Sequence, residues 1–86
     1  MEKYNVEISR SAEKVLLRLP KQVIPKIVAT IQGLAINPFP IGCRKLGGET
    51  NTFRIRIQVY RIIYEVHENI LLIKILKIGH RKDVYR

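Results

Sequence analysis

The amino-acid sequence predicts an α+β domain in which one strand and two helices precede three further strands, and three patterns carry that reading. Phe53, Ile55 and Ile57 alternate with Arg54 and Arg56, and Tyr60, Ile62, Tyr64 and Val66 alternate with Arg61, Ile63 and Glu65. Such a period of two marks half-buried strands. Ala12, Val15, Leu16 and Leu19, then Val23, Ile24, Ile27, Val28, Ile31, Leu34 and Ala35, recur at helical spacing. Residues 70–78, I-L-L-I-K-I-L-K-I, are apolar on both faces, which suits a strand in the middle of a sheet.

Taken in order, residues 3–8 alternate Tyr4, Val6 and Ile8 with Asn5 and Glu7 and form the first strand. Ser9 or Ser11 supplies a helix N-cap. Pro20 stops the first helix, and a second spans roughly residues 21–36, with Pro25 in its first turn, where a missing N–H costs least. The two helices form a hairpin over one face of the sheet. Lys14, Arg18, Lys21 and Lys26 on their polar sides read as solvated charges.

Asn37-Pro38-Phe39-Pro40 ends the second helix, and a loop runs to Thr52. Gly47-Gly48 beside Arg44 and Lys45 has neither the Walker nor the dinucleotide spacing. The glycines there read as positions needing positive φ. A hairpin follows, turning at Gln58-Val59, then a second turn at His67-Glu68-Asn69, then the central strand, ended by Gly79. The last seven residues are a short tail.

At 86 residues the chain is read as one domain, 1–86, near the small end of what folds alone. No apolar run is long enough to span a bilayer, the N-terminus lacks a signal-peptide pattern, and a single cysteine, Cys43, suits a reducing compartment. A cytoplasmic location is therefore expected.

The formal net charge is +9. Residues 1–43 carry six Lys and Arg against three Asp and Glu, and residues 44–86 carry ten against four. The electrostatic footprint thus lies on the strands and tail, and its partner is nucleic acid, an acidic protein or an anionic membrane surface.

Neither metal nor cofactor chemistry is expected. Cys43, His67 and His80 have no partners at metal-ligand spacing, and no carboxylate pair is placed for acid–base work. What remains is a group of arginines. Alternation puts Arg54, Arg56 and Arg61 on one surface of the hairpin, with His80, Arg81 and Tyr85 nearby and Arg44 and Lys45 at its rim. Arginine holds phosphate bidentately and stays charged, and several around one phosphate stabilise charge growing in a transition state. Tyrosine can stack on an unstacked base of single-stranded RNA. RNA carries its own nucleophile, the 2′-hydroxyl, so a protein that aligns it and holds the phosphate can cut the chain. A plain solvated strand face would show the same spacing.

The run R-K-L-G-G…F-R-I-R-I…Y-R-I-I-Y-E-V…I-G-H-R-K-D-V-Y-R resembles the RelE/ParE superfamily of toxins, the RelE branch above all. The resemblance is specific from Arg44 onward and only pattern-level in the helical half. It implies a small RelE-like fold, a helical hairpin on a mainly antiparallel four-stranded sheet. It implies a ribosome-dependent endoribonuclease that cuts messenger RNA in the A site, leaving a 2′,3′-cyclic phosphate and a 5′-hydroxyl. It also implies a cognate antitoxin, in a hetero-oligomer, whose C-terminal segment wraps the toxin and covers the basic surface.

Carried over by position, Arg54 and Arg56 contact the scissile region, Arg61 holds the phosphate, Arg81 assists the leaving 5′-oxygen and Tyr85 stacks on a base. Arg44, Lys45, Lys82 and Arg86 are expected to bind RNA alongside them. Well-studied members carry lysine where this chain has Arg54 or Arg56, and arginine cannot release a proton. His80, with a resting pKa near neutrality, is therefore expected to accept the 2′-hydroxyl proton. Two other functions are open: a ParE-like inhibitor of DNA gyrase, and a non-catalytic RNA- or ribosome-binding module.

Overall fold

The computed structural model describes residues 3–46, 48 and 51–81. Its elements are β1 (Asn5–Ile8), α1 (Arg10–Arg18), α2 (Ile24–Ile36), β2 (Arg44–Lys45), β3 (Thr52–Ile57), β4 (Tyr60–His67), a 3-10 turn (Glu68–Ile70) and β5 (Leu72–His80). The strands form one sheet in the order β1-β5-β4-β3-β2. Only the β1–β5 pairing is parallel; β5–β4, β4–β3 and β3–β2 are antiparallel. The mainly antiparallel sheet is as expected, but it has five strands rather than four. The addition is β2, two residues in the stretch read as loop, too short to show any alternation.

Ser9 caps α1 through its Oγ, which accepts from the Ala12 N–H at 3.1 Å. The same hydroxyl donates to the Leu76 carbonyl at 2.9 Å, and the Ser9 N–H donates to Ile75 O at 2.9 Å. One residue thus ties the start of the helix to the middle of β5. The second helix starts at Ile24 rather than near residue 21, so that Pro25 lies in its first turn without a kink. Lys14, Arg18, Lys21 and Lys26 are exposed, as read from the sequence. Among the described residues no helix is long and apolar enough to cross a membrane.

Both helices press on one face of the sheet. Ala12, Leu16, Ile27, Ile31 and Leu34 meet Ile55, Ile62, Tyr64, Val66, Ile73, Ile75 and Ile78 in a single core. Ile27, Leu34, Ile62, Tyr64, Ile73 and Ile75 are fully buried. Phe39, Phe53 and Tyr64 extend this core as an aromatic run, with ring centroids 5.1 and 5.9 Å apart. The Tyr64 hydroxyl donates to Pro38 O at 2.8 Å, which holds the α2–β2 connection onto the sheet. Burial, and secondarily the neighbouring Cys43, push the Tyr64 phenol well above its usual pKa.

Strand β5 is interior, as its two-sided apolarity predicts, but its limits differ from expectation. Ile70 closes the 3-10 turn and is exposed, and Leu71 follows with φ 51°. At the other end Gly79 does not stop the strand: it pairs with Arg61, and β5 runs on to His80. The β4–β5 ladder also carries a bulge. Ile63 pairs with Lys77 while Tyr64 pairs with Ile75, so Leu76 has no partner position of its own. The extra residue resets the alternation. Ile73, Ile75 and Ile78 can therefore all be buried although their numbers do not share one parity.

Deleting Leu76 should thus regularise the ladder without exchanging the faces of β5. The variant is expected to unfold cooperatively in urea, less stable by about 1–3 kcal/mol for the lost Ser9 hydrogen bond and the partly buried leucine; a failure to fold would contradict this account of the bulge. In the β3–β4 turn Gln58 has φ 56°, a conformation costly for any residue with a Cβ. Gln58→Gly should raise the denaturation midpoint, by an amount equivalent to up to about 1 kcal/mol.

Candidate nucleic-acid interface

Strand pairing decides which side chains share a surface, because directly opposed residues point to the same face. In the β3–β4 ladder Arg56 is opposite Arg61 and Arg54 opposite Ile63. In the β2–β3 ladder Arg44 is opposite Arg54. Across β4–β5, Arg61 faces Gly79 and Ile63 faces Lys77. The Arg81 N–H donates to Val59 O at 2.8 Å, which continues that ladder past its last pair and gives Arg81 the parity of Gly79. Arg44, Arg54, Arg56, Arg61 and Arg81 therefore lie on one face, the one turned away from α1 and α2.

The arginines differ in exposure. Arg44, Arg56 and Arg81 are exposed, and Arg54 and Arg61 are half-buried. The Nε of Arg54 and the Nε and Nη1 of Arg61 are shielded from water. Neither of these two guanidinium groups hangs loose in solvent, and both side chains are engaged within the molecule. Partial burial and internal contacts restrict both side chains, and restricted cationic groups are what an oxyanion-stabilising site requires. Beneath them Ile63, 6% exposed, gives the face an apolar floor. Gly79, opposite Arg61, contributes no side chain and is itself buried.

Two expected members of the site lie elsewhere. Lys45 is opposite Phe53 and so has the parity of the helix-covered side, although it is exposed at the sheet edge. His80 is opposite Tyr60, again with the parity of the helix-covered side. Its ring meets Tyr60 edge to face, with centroids 6.1 Å apart. Together they line a cleft of about 520 Å³ beneath α1, bounded by Ser11, Ala12, Val15 and Leu19. Periodicity placed His80 near the arginines along the chain; it could not show that the bulge in β5 turns it to the other side. Tyr85, Lys82 and Arg86 lie outside the described residues.

The same face changes character toward its far end. Glu65 pairs across the sheet with Lys74, and Lys74 with Glu7. The Glu65 Oε1 is 2.9 Å from His67 Nε2, and His67 Nδ1 is 3.4 Å from Asn51 Nδ2. The cationic group is thus bounded by a row that contains carboxylates. Among the described residues no cluster of three or more His, Cys, Asp or Glu could hold a metal ion. Two lysines of this face were missed from sequence: Lys74, and Lys77, which is exposed and opposite Ile63, both in a strand that read as apolar on both faces.

Comparison with known proteins identifies the family. The sequence model of the ParE toxin family of type II toxin–antitoxin systems matches residues 6–85. The chain is 33% identical to the putative toxin RelE1 of Methanocaldococcus jannaschii, over 98% of this chain and 97% of that one. It is 31% identical to toxin RelG of Mycobacterium tuberculosis, over 96% of this chain and 97% of that one. Among solved structures, the archaeal RelE–RelB complex of Pyrococcus horikoshii contains a chain that superposes with a TM-score of 0.84 at 31% identity, covering 95% of this chain and 99% of its own. The chain therefore belongs to the RelE/ParE superfamily, as a RelE-family toxin of the type II toxin–antitoxin class.

Proposed function

We propose that this toxin is a metal-independent endoribonuclease that cuts messenger RNA in the ribosomal A site and so halts translation. The observation that carries the reading is the pairing of Arg56 with Arg61, flanked by Arg54 and Arg81 on the face turned away from the helices. A nuclease of this kind needs little from the protein beyond positioning and positive charge. The ribose 2′-oxygen attacks the adjacent phosphorus, the P–O5′ bond breaks, and the products are a 2′,3′-cyclic phosphate and a 5′-hydroxyl. The 2′-hydroxyl loses a proton and the departing 5′-oxygen gains one. Negative charge accumulates on the phosphoryl oxygens, and Arg54, Arg56 and Arg61 are arranged to meet it. Arg81, whose N–H bonds to Val59 O in the turn that joins those strands, is the proposed partner of the leaving oxygen. The described part of this face has no side chain near the arginines that titrates around neutrality. The orientation of His80 toward Tyr60 and α1 favours a structural role for it over proton transfer.

We further propose a cognate antitoxin as partner, in a hetero-oligomer. Relatives of this fold have been solved as RelB–RelE complexes, including those of Pyrococcus horikoshii and Methanococcus jannaschii. A face with this much like charge is complementary to an acidic or amphipathic segment. A second reading, inhibition of DNA gyrase, is favoured by the ParE description of the matching family.

Primer extension on actively translated messenger separates the readings. The nuclease produces discrete cuts, and a gyrase inhibitor or a non-catalytic ribosome-binding module produces none. Arg61→Ala and Arg81→Ala should each reduce the single-turnover rate by about 10²–10³ while ribosome binding persists. His80→Ala should reduce it less than about tenfold, well short of the 10²–10⁴ that loss of a general base or acid costs. A larger fall on that substitution would return His80 to the chemistry.

A further inference from the structure

We propose that Lys77 is a positioning residue that holds a flanking phosphate of the bound RNA strand, next along from the linkage held by Arg56 and Arg61. The inference rests on the RNA-cleaving reading above and adds a second contact point to it, one that fixes the path of the strand across the sheet.

Three observations converge on Lys77. The register sets it in the row Arg44–Arg54–Ile63–Lys77, which crosses β2, β3, β4 and β5 in turn. The adjacent row is Arg56–Arg61–Gly79. Two residues of strand separate the rows, about 6.8 Å, a step of the same order as that between successive phosphates of an extended nucleic-acid strand. Within its row Lys77 is separated from Arg54 by the uncharged, buried Ile63, a distance of two strand spacings or about 9.6 Å. It is therefore set apart from the arginine group and addresses a different part of the ligand.

The next row along bounds the footprint. It runs Thr52–Glu65–Lys74–Glu7, where two carboxylates flank and outnumber a single lysine and so disfavour a phosphate chain. On the β5 side, a strand lying on the arginines can pass over Lys77 or meet those carboxylates; the exposed Arg44 marks the opposite end of the row. Lys77 is exposed, so its ammonium is free to move to the phosphate, which it would bind as a point charge without the fixed fork of an arginine. Only the β5 bulge at Leu76 gives Lys77 this parity, since unbroken alternation from the buried Ile73 and Ile75 would direct it at the helices.

The experiment compares wild type, Lys77→Ala, Lys77→Arg and, as control, Lys14→Ala on α1. Binding to a ten-nucleotide single-stranded RNA is measured across a salt series, and single-turnover cleavage is measured on programmed ribosomes. Each phosphate contact to a single strand contributes about 0.7 to the slope of log affinity against log salt. Lys77→Ala should flatten that slope by about 0.7 and raise the half-saturating concentration of programmed ribosomes. The maximal cleavage rate should stay within about twofold, the pattern of uniform binding lost without chemistry. Lys77→Arg should restore the slope, and Lys14→Ala should leave it unchanged. A parallel series on vacant ribosomes separates the cleaved strand from ribosomal RNA as the source of the phosphate. An altered slope there with an unaltered one on the oligonucleotide overturns the assignment, as does an unaltered slope on both. Absence of any cleavage by the wild type would remove the nuclease reading itself, a result distinct from either.

Discussion

A single unmatched residue in β5 governs what each side of this sheet presents. Ile73 and Ile75 pack against the helices, and strict alternation from them would send Lys77, Gly79 and Arg81 into the core. The bulge at Leu76 inverts the parity. Ile78 joins the core, His80 turns to Tyr60, and Gly79 lies opposite Arg61. A slip of one position exchanges the two faces of a strand, so the bulge is what allows one strand to serve the core along its whole length and still extend the cationic face. Ser9 secures it, with one hydrogen bond to Ile75 O and another to Leu76 O from the residue that caps α1. The first helix, the interior strand and the arginine face are therefore mechanically linked through a few ångströms of backbone.

Much of this was legible in the sequence, and the limits of legibility have physical causes. The hairpin was readable because Phe53 to Ile57 and Tyr60 to Val66 each spell out their alternation with opposite chemistry on the two sides. The co-facing of Arg54, Arg56 and Arg61 followed at once, as did the turn at Gln58-Val59. The interior place of β5 was readable from its two-sided apolarity. That same property concealed its bulge: where nearly every position is aliphatic, no contrast remains to reveal a change of phase. The misplacement of His80 and the oversight of Lys77 both stem from that lost contrast. The strand β2 was invisible for a different reason, since two residues carry no period and their pairing is imposed by the edge of β3. Gly48, read as a position of positive φ, adopts 82°.

The cationic face is expensive to assemble in the folded state. Arg44 stands directly opposite Arg54, and Arg56 directly opposite Arg61. Like charges opposed across strands are destabilising, by a few tenths to about 1 kcal/mol for each pair. The core offsets this from the other side of the same strands, where Ile55, Ile62, Tyr64 and Ile78 are buried at alternating positions. The energetic division follows the geometric one: one face of the hairpin supplies the stability that the other consumes.

That division has a consequence for anything that binds the open face. An anionic partner, whether a nucleic-acid strand or an acidic protein segment, relieves the repulsion between the opposed arginines only when the ladders that oppose them are formed. Unfolding separates the arginines and removes both the repulsion and the site. Such a partner therefore binds the folded chain in preference to the unfolded one and must stabilise it, by an amount that grows with the logarithm of its concentration over its dissociation constant. Binding at the arginines and folding of β3, β4 and β5 are then one coupled equilibrium, because the register that brings Arg56 to Arg61 is the register that buries Ile55 against Ile62.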